Sequence, residues 1–337
     1  MIEGHGDDSY RYENIGLNFS SNVYDGFSHE KLFEYLSSNL SDISCYPMPQ
    51  PLDVEREIAR RLNVADNQVC VNNGATEAIY CIAQAFSGSE SAVLQPTFSE
   101  YKDACTLNSH KVTDIYDVSS VGAGSGIVWI CNPNNPTGAV IPKNDILSIV
   151  EKHHDKLFVF DHSYACFTTM PMLQASEAAD MPNVLLLHSM TKRFAVPGLR
   201  IGYISGNSNL LDRVRTAKMP WSVNAMACRA ASFLLQHEDD IYKIDLNNLL
   251  SEKKRMEERL TDVAGVEVWP SDCHILLCRL RYGKSGPLKE WLAREKGILI
   301  RDASNFPALN DSFFRIAVKN SEQDDLLVNA ISEWLMM

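Results

Sequence analysis

The sequence predicts an α/β fold, in which a large domain built on a mostly parallel seven-stranded sheet covered by helices carries a smaller α+β domain. The first observation is an alternation of short apolar runs with helical stretches over residues 68–205, as in sheets covered on both faces. The second is size: 337 residues, 45% of them hydrophobic and 22% charged, suit one large core and a smaller lobe. Disordered and fibrous classes are therefore excluded.

The first part of the chain predicts an arm followed by two helices. Residues 1–30 are polar apart from a short extended piece at 17–22, and we expect this arm to cross an active site. Helical spacing covers 29–40 and 52–62, and prolines keep the segment 45–49 between them extended.

The predicted large domain follows as an alternation of strands and helices. The strands are 68–71, 91–95, 111–116, 126–131, 157–160, 184–188 and 200–205. The helices are 75–86, 98–107 and 143–153. Each strand is a short apolar run of the kind that is buried in a parallel sheet, whereas apolar residues recur at helical spacing in each helix.

The remainder of the chain predicts an α+β lobe. Its helices are 223–236, 239–262, 286–296 and 322–335, and its strands are 264–269, 275–280, 298–301 and 313–318. We therefore expect an N-terminal arm with part of the small domain at 1–40, the large domain at 41–220, and the small domain at 221–337.

Charge and cysteine usage narrow the function classes. The formal net charge is −12 and the longest basic cluster is 253–255, among glutamates, so nucleic acid is not an expected partner. The nine cysteines include no Cys-x-x-Cys pair and several lie in apolar patterns, which predicts reduced thiols and no metal site. The chain shows neither a signal-peptide pattern nor an apolar run of membrane length, so we expect a cytoplasmic protein with no membrane partner.

The segment 189–203 places a lysine where a strand of buried character ends. Lys192 stands among hydroxyl groups, and a Pro-Gly turn separates it from Arg200. A lysine amine in such a loop can form a Schiff base with an aldehyde cofactor. Ser189, Thr191 and the planar fork of Arg200 suit the oxygens of a phosphate. Taken by itself, the segment also fits a surface lysine beside a turn.

Three further segments follow apolar strands in chain order. Residues 73–77, Asn-Gly-Ala-Thr-Glu, link a strand to a helix, whose N-terminus stabilises a phosphate dianion. Residues 132–138 read Asn-Pro-Asn-Asn-Pro-Thr-Gly, and residues 161–164 read Asp-His-Ser-Tyr. With the lysine segment, this order resembles the fold-type I pyridoxal-5'-phosphate enzymes of aminotransferase class I and II over nearly the whole chain.

The resemblance implies pyridoxal 5'-phosphate as the cofactor and a role for each matching position. Lys192 would carry the Schiff base, and Asp161 would pair with the pyridine nitrogen and keep the ring protonated. Tyr164 and Asn135 would hydrogen-bond the ring oxygen, while Phe98 would stack on the ring. The implied phosphate-binding residues are Gly74, Ala75, Thr76, Ser189, Thr191 and Arg200. The implied catalytic residues are Lys192, Asp161 and Tyr164. Individually, most of these positions also fit a helix cap, a turn or a core aromatic.

Within this class the chain resembles the L-threonine-O-3-phosphate decarboxylases of cobalamin synthesis more closely than the histidinol-phosphate aminotransferases. Residues 218–224 resemble the decarboxylases' Met-Pro-Trp-Ser-Val-Asn, and the two arginines near the C-terminus keep their 14-residue spacing. The implied substrate-binding residues are Arg301, Arg315, His5, Asn22 and Asn135. Two departures are that His162 replaces the family's glutamate after Asp161 and that Val23-Tyr24-Asp25-Gly26 replaces an Asn-Pro-x-Gly.

A tyrosine of a Tyr-Pro pair is contributed by the neighbouring subunit in the resembled family, where it reaches the cofactor phosphate. Tyr46 takes that position, which implies a homodimer. His162 fits either a supporting group or a replacement without a catalytic role, and we favour the second.

The resemblance implies decarboxylation of L-threonine O-3-phosphate to (R)-1-amino-2-propanol O-2-phosphate, because two arginines suit one carboxylate and one phosphate. Which arginine binds which anion stays open. The alternative is an aminotransferase acting on histidinol phosphate or another amino acid. A cofactor-binding regulatory domain is a weaker third interpretation, since the chain has no basic face and no room for a DNA-binding domain.

Overall fold

The computed structural model describes residues 7–122, 124 and 126–337, so that the predicted substrate residue His5 lies outside the described residues. The strands are β1 (Leu17–Asn18), β2 (Val69–Asn72), β3 (Glu90–Leu94), β4 (Lys111–Ile115), β5 (Ile127–Cys131), β6 (Leu157–Asp161), β7 (Val184–Ser189), β8 (Gly202–Gly206), β9 (Val266–Val268), β10 (Ile275–Leu280), β11 (Ile298–Leu299), β12 (Arg301–Asp302) and β13 (Phe313–Ala317). The helices are α1 (Glu30–Ser38), α2 (Leu52–Leu62), α3 (Gly74–Ala85), α4 (Glu100–Leu107), α5 (Lys143–Lys152), α6 (Ala175–Asp180), α7 (Met190–Arg193), α8 (Ser208–Arg215), α9 (Ala225–Gln236), α10 (Leu246–Thr261), α11 (Ser285–Lys296) and α12 (Ser321–Leu335).

The predicted fold class is confirmed by a seven-stranded sheet in the order β2-β8-β7-β6-β5-β3-β4. Strands β3 to β7 pair in parallel, whereas β8 runs antiparallel to both of its neighbours. Every residue of β5 and β6 is buried, as expected for central strands of a sheet covered on both faces. Because β5, β6 and β7 are parallel, their carboxyl ends meet at one edge, the usual location of ligand sites in such sheets.

A second sheet contains β12, β13, β10 and β9 in that order, and its strands are antiparallel. The arm strand β1 pairs in parallel with β11, so that Leu17 lies opposite Ile298. The predicted strand 298–301 is therefore wrong as one element: its first half pairs with the arm and its second half with β13. The division of the chain at residues 40 and 220 stays a prediction.

Other differences lie in the helices. The sequence analysis did not identify α6, α7 and α8, whose short lengths give weak helical periodicity. The loop expected at Lys192 is therefore wrong, because this residue lies in α7. The helix predicted from residue 239 begins only at Leu246. There Asp245 caps the helix, because its side chain accepts a hydrogen bond of 3.0 Å from the backbone N–H of Asn248.

The described part of the chain contains neither a candidate membrane span nor a candidate metal site. No described helix is both long and apolar enough to span a bilayer. Among the same residues, no group of three or more His, Cys, Asp or Glu side chains could hold a metal ion. The nine cysteines are free thiols, and six of them are buried.

Candidate active site

A cavity of about 270 Å³ lies at the carboxyl edge of the large sheet, beside the arm and the second sheet. Its wall contains most of the site residues predicted from sequence: Asn22, Ala75, Thr76, Phe98, Asn135, Asp161, Tyr164, Ser189, Thr191, Lys192, Arg200, Arg301 and Arg315. The structure thus brings together residues from the arm, from several strand ends of the large sheet and from the second sheet.

Lys192 reaches the cavity from the short helix α7, directly after the end of β7. Its Nζ donates a hydrogen bond of 2.6 Å to Oδ1 of Asn22, on the arm. Burial, together with the nearby cations of Arg315 and Arg200, lowers the pKa of Lys192 to about 8. Lys192 is half-buried and forms part of the cavity wall. A depressed pKa favours the neutral amine, which is the nucleophilic form.

Asp161 is buried at the last position of β6. Its Oδ2 accepts a hydrogen bond of 2.6 Å from the hydroxyl of Tyr101, and its Oδ1 accepts one of 2.8 Å from the backbone N–H of Ser163. Burial raises the pKa of Asp161, and these hydrogen bonds oppose that shift. A buried carboxylate of this kind is stabilised by a cationic partner such as a protonated ring nitrogen.

The side of the cavity near the arm is lined by a polar network. Nδ2 of Asn22 donates to the hydroxyl of Tyr164. Arg315 donates from Nη1 to Oδ1 of Asn135 at 2.9 Å and from Nη2 to the backbone oxygen of Ser20. This network joins Lys192 and Tyr164 to the arm through a single residue, Asn22.

The start of α3 forms a candidate phosphate cradle. Gly74 has a φ of +83°, a conformation that favours glycine, and a Cβ there would lie 2.7 Å from Nη2 of Arg200, so its absence leaves room for the guanidinium. A Cβ on Gly202 would lie 2.7 Å from the backbone nitrogen of Ala75. Two glycines therefore keep this helix N-terminus and Arg200 close together, an arrangement that attracts phosphate. Among the described residues, buried Oγ1 of Thr191 has no hydrogen-bond partner, which leaves it available to a phosphate oxygen.

Two arginines lie opposite each other on adjacent strands of the second sheet. Arg301 and Arg315 are cross-strand partners on β12 and β13, and both are buried. Burial lowers the pKa of Arg315 to about 10, and the charge of Arg301 contributes in the same direction. Nη2 of Arg301 donates to Oδ1 of Asn305 at 2.8 Å. Like charges placed directly opposite each other destabilise a sheet, so this pair fits an anionic ligand better than a structural role.

Tyr46 and His162 lie away from the cavity. Tyr46 is 88% exposed, and its ring packs 5.7 Å from that of Trp221. His162 is buried beside His188, with ring centroids 5.9 Å apart, and burial lowers the pKa of His162 to about 4. A neutral imidazole outside the cavity agrees with the interpretation of His162 as a replacement that takes no direct part in chemistry.

Sequence analysis missed several residues of the cavity wall. They are Asp7, Ser20, Ser21, Ile79, Thr97, Ser99, Tyr101, Cys131, Ser163, Pro197, Asn305, Phe306 and Pro307. The most informative is Tyr101, because it bonds directly to Asp161. The available signal was its position three residues after Phe98 at the start of a helix, which places both side chains on one face.

Comparisons with known proteins identify the family. The profile of the family "Aminotransferase class I and II" matches residues 14–331. The chain belongs to this family. A crystal structure of L-threonine-O-3-phosphate decarboxylase from Porphyromonas gingivalis is 35% identical to the chain, with a TM-score of 0.93 and coverage of 95% of this chain and 100% of that one.

Two curated relatives show how close the neighbouring activities are. A histidinol-phosphate aminotransferase from a Thermoanaerobacter species is 31% identical over 313 residues, covering 88% of this chain and 86% of that protein. A threonine-phosphate decarboxylase from Salmonella typhimurium is 26% identical over 332 residues, covering 94% of this chain and 90% of that protein. Histidinol-phosphate aminotransferases and threonine-phosphate decarboxylases therefore both align with most of the chain.

The cofactor of this class I and II family is pyridoxal 5'-phosphate, and the cavity fits it. The unpartnered hydroxyl of Thr191, the N-terminus of α3 and Arg200 suit the phosphate. At the other side, the buried carboxylate of Asp161 suits the ring nitrogen, and Lys192 lies in the same cavity with a lowered pKa. The cavity wall thus offers suitable groups for the phosphate of the cofactor, for its protonated ring nitrogen and for its aldehyde carbon.

Proposed function

We propose that this protein catalyses the decarboxylation of L-threonine O-3-phosphate to (R)-1-amino-2-propanol O-2-phosphate and CO2, a reaction of cobalamin biosynthesis, with pyridoxal 5'-phosphate as cofactor. The observation that carries the proposal is the pair of buried, cross-strand arginines, Arg301 and Arg315, in the same cavity as Lys192. L-Threonine O-3-phosphate presents a carboxylate and a phosphate in one small molecule, and each is an anion that a guanidinium binds well.

The relatives support the same substrate class. The Porphyromonas gingivalis protein, whose structure superposes with a TM-score of 0.93, is named an L-threonine-O-3-phosphate decarboxylase. The loop between the arginines, which resembles that of the decarboxylases in sequence, contributes Asn305, Phe306 and Pro307 to the cavity wall. Loop and arginines together form one anion-binding wall.

When bound, the cofactor supplies a ring that accepts the electron pair of the bond broken at the amino acid's Cα. Lys192 would bind the aldehyde carbon and, once released, return a proton to Cα. Asp161 would hold the proton on the ring nitrogen, and its buried position makes that pairing strong. Tyr164 and Asn135 would orient the ring through its oxygen, and Phe98 would cover one ring face.

Choice of the broken bond follows from how the substrate is held. Only a bond perpendicular to the cofactor ring can pass its electrons into the ring's π-system. The phosphate and carboxylate of the substrate would be bound by Arg301, Arg315 and Asn22, so that the bond to the carboxylate takes that orientation. If the anions were held differently, the C–H bond would be perpendicular, and Lys192 would take its proton on the way to transamination.

The second candidate is therefore an aminotransferase of the histidinol-phosphate type. It is favoured by the Thermoanaerobacter relative, which is 31% identical. Histidinol phosphate has a phosphate but no carboxylate, so it would occupy only one of the two arginines in the first half-reaction.

The deciding experiment incubates cofactor-loaded protein with L-threonine O-3-phosphate in the absence of any 2-oxo acid. We expect catalytic release of CO2 and formation of the phosphorylated amino alcohol. A parallel reaction contains histidinol phosphate and 2-oxoglutarate. Glutamate formation there, with no CO2 in the first reaction, would reject the decarboxylase and support the aminotransferase.

We also propose that the active unit is a homodimer in which Tyr46 serves the partner's site. Tyr46 is 88% exposed and packs against Trp221, which is itself 49% exposed, and this exposed aromatic pair is consistent with contact to a second subunit. Mixing an inactive Lys192→Ala protein with a weakened Tyr46→Ala protein tests the proposal, because heterodimers would contain one site with both residues intact. Activity is expected to rise on mixing, and no rise after verified subunit exchange would reject the shared site.

A further inference from the structure

Tyr101 donates a short hydrogen bond to the carboxylate of Asp161. It lies in the first turn of α4, and only 1% of its surface is exposed. Its hydroxyl donates to Oδ2 of Asp161 at 2.6 Å. The other oxygen of Asp161 accepts from the backbone of Ser163 at 2.8 Å. Tyr101 therefore donates to one carboxylate oxygen and the backbone of Ser163 to the other, and the side chain of Ser163 also hydrogen-bonds the carboxylate.

Aromatic contacts fix the hydroxyl of Tyr101 in place. The ring stacks on Trp129 of β5, with centroids 5.8 Å apart and an interplanar angle of 22°. Its edge packs against Phe98 at 5.9 Å and 87°. Because these contacts hold the ring from two directions, the hydroxyl has little freedom to leave the carboxylate.

The electrostatic setting keeps this hydroxyl a neutral donor. Burial and the negative charge of Asp161 raise the pKa of Tyr101 well above its ordinary value. The hydrogen bonds from Ser163 and Tyr101 favour the charged carboxylate, against burial, which favours the neutral acid. Tyr101 therefore acts on the protonation state of Asp161 through a single directed contact.

We propose that Tyr101 is a positioning residue that keeps Asp161 ionised, so that the shared proton stays on the ring nitrogen of the cofactor. The inference deepens the proposed function and rests on its placement of Asp161 against that nitrogen. Without the hydroxyl, one oxygen of Asp161 loses its donor, and the carboxylate holds the proton more tightly. The ring nitrogen then becomes less protonated and a weaker electron acceptor.

The test compares the Tyr101→Phe holoenzyme with the wild type, both loaded with pyridoxal 5'-phosphate labelled with ¹⁵N in the ring. Tyr101→Phe removes one oxygen atom and keeps the ring that packs on Trp129. We expect the ¹⁵N resonance to move towards the value of the unprotonated ring and cofactor affinity to fall roughly tenfold, since hydrogen bonds to charged groups are among the stronger ones.

A matched control is Tyr80→Phe. The hydroxyl of Tyr80 also donates to a carboxylate, that of Glu100 at 2.8 Å, but Tyr80 is not part of the cavity wall. Its removal is expected to leave the ¹⁵N resonance and cofactor affinity unchanged. If Tyr101→Phe behaves like this control, the positioning role is rejected.

Asp161→Asn separates this inference from the proposed function, because the readout needs no turnover of any substrate. If Asp161→Asn shifts the ¹⁵N resonance and Tyr101→Phe does not, only the role of Tyr101 fails. If neither variant shifts it, the placement of Asp161 fails as well. In the Asp161→Asn background, Tyr101→Phe is expected to add no further shift, whereas a purely structural effect would add to it.

If Tyr101→Phe does not fold, a second experiment uses a labelled protein in which the hydroxyl at position 101 is retained. With 3-fluorotyrosine incorporated at position 101, the ¹⁹F resonance is expected to move when pyridoxal 5'-phosphate binds and the charge on Asp161 gains its partner. An unchanged resonance on binding would overturn the proposed contact between Tyr101 and the cofactor's counter-ion.

Discussion

The two ends of the cavity are built in different ways. The end that fits the cofactor uses the strand ends and helix starts of one sheet, with Asp161 at the end of β6 and Ser189 at the end of β7. The end that fits the substrate combines the arm with the second sheet. There Arg315 bonds to Ser20 across 295 residues of chain and to Asn135 across 180.

Because the two ends of the cavity are built from different elements, the residues that would carry out the reaction are separate from those that would select the substrate. A single buried sheet holds the cofactor end, because the backbone hydrogen bonds of neighbouring strands fix every position in it. The substrate end is held by polar side-chain contacts, such as the ion pair of 2.6 Å between Asp8 and Lys289 that ties the arm to α11. Changes at the first end should therefore alter cofactor binding and reaction steps, and changes at the second should alter which molecules react.

The largest effect is expected at the cofactor end, from Lys192→Ala. Loss of a covalent catalyst should lower kcat on the order of several powers of ten, and the visible absorption of the Schiff base between Lys192 and the cofactor should disappear. Lys254→Ala, at an exposed position on α10, serves as the control. Substantial turnover by Lys192→Ala would contradict the assignment of this residue.

A smaller effect is expected at the substrate end, from Arg315→Gln. Loss of the guanidinium that would hydrogen-bond the substrate should lower kcat/KM roughly a hundredfold, while cofactor affinity stays unchanged. The protein should remain folded, because Arg315 is a buried cation whose hydrogen bonds within the described residues go to neutral oxygens, and such a cation is no net source of stability. Arg279→Gln on β10 is the control, and a parallel loss of cofactor affinity in Arg315→Gln would break the separation of the two ends.

The pH dependence of cofactor attachment sharpens the comparison further. The pKa of Lys192, about 8 in the folded protein, lies below the ordinary value of 10.5, so the neutral amine becomes abundant as pH rises through about 8. Below that point the attachment rate to cofactor-free protein should rise roughly tenfold per pH unit, and above it the rate should level off. Stopped-flow absorbance measures this, and a midpoint near 10 would contradict the effect of burial and of the cations of Arg315 and Arg200.

The smallest effect is expected from Thr191→Val. Its buried Oγ1 has no partner among the described residues, so replacing it should raise the melting temperature of cofactor-free protein, since a buried unpaired hydroxyl costs about 1–3 kcal/mol. The same change should weaken cofactor binding about fivefold and leave KM unaffected, as expected for a lost phosphate contact. Thr106→Val, at an exposed position on α4, is the control, and stabilisation with unchanged cofactor affinity would place Thr191 outside the phosphate cradle.

The cofactor end was largely predictable from sequence, because most of its residues follow a strand with a clear apolar run, although Arg200 precedes one. The position of Asp161 after 157–160 is an example, since parallel strands end at one edge whatever the rest of the chain does. Arg301 and Arg315 were found through family resemblance, but their direct opposition across two strands depends on the pairing register, which local sequence does not encode.

Tyr101 shows why the rest was missed. An aromatic residue near the start of a helix usually belongs to a core, and in part it does, through its contact with Trp129. Its hydrogen bond to Asp161 spans 60 residues and arises only when folding brings Tyr101 against Trp129 of β5 and Asp161 at the end of β6. The split of 298–301 into β11 and β12 has a similar cause, because the arm pairs with the first half alone.

The parallel pairing of β1 with β11 has a consequence for the order of events during synthesis. Leu17 leaves the ribosome early, whereas its strand partner Ile298 is translated 281 residues later. Domains generally begin to fold from the N-terminal side as the chain emerges. The arm must therefore wait, unpaired, while the large sheet forms beside it, and the substrate end of the cavity closes only when the last strands have been made.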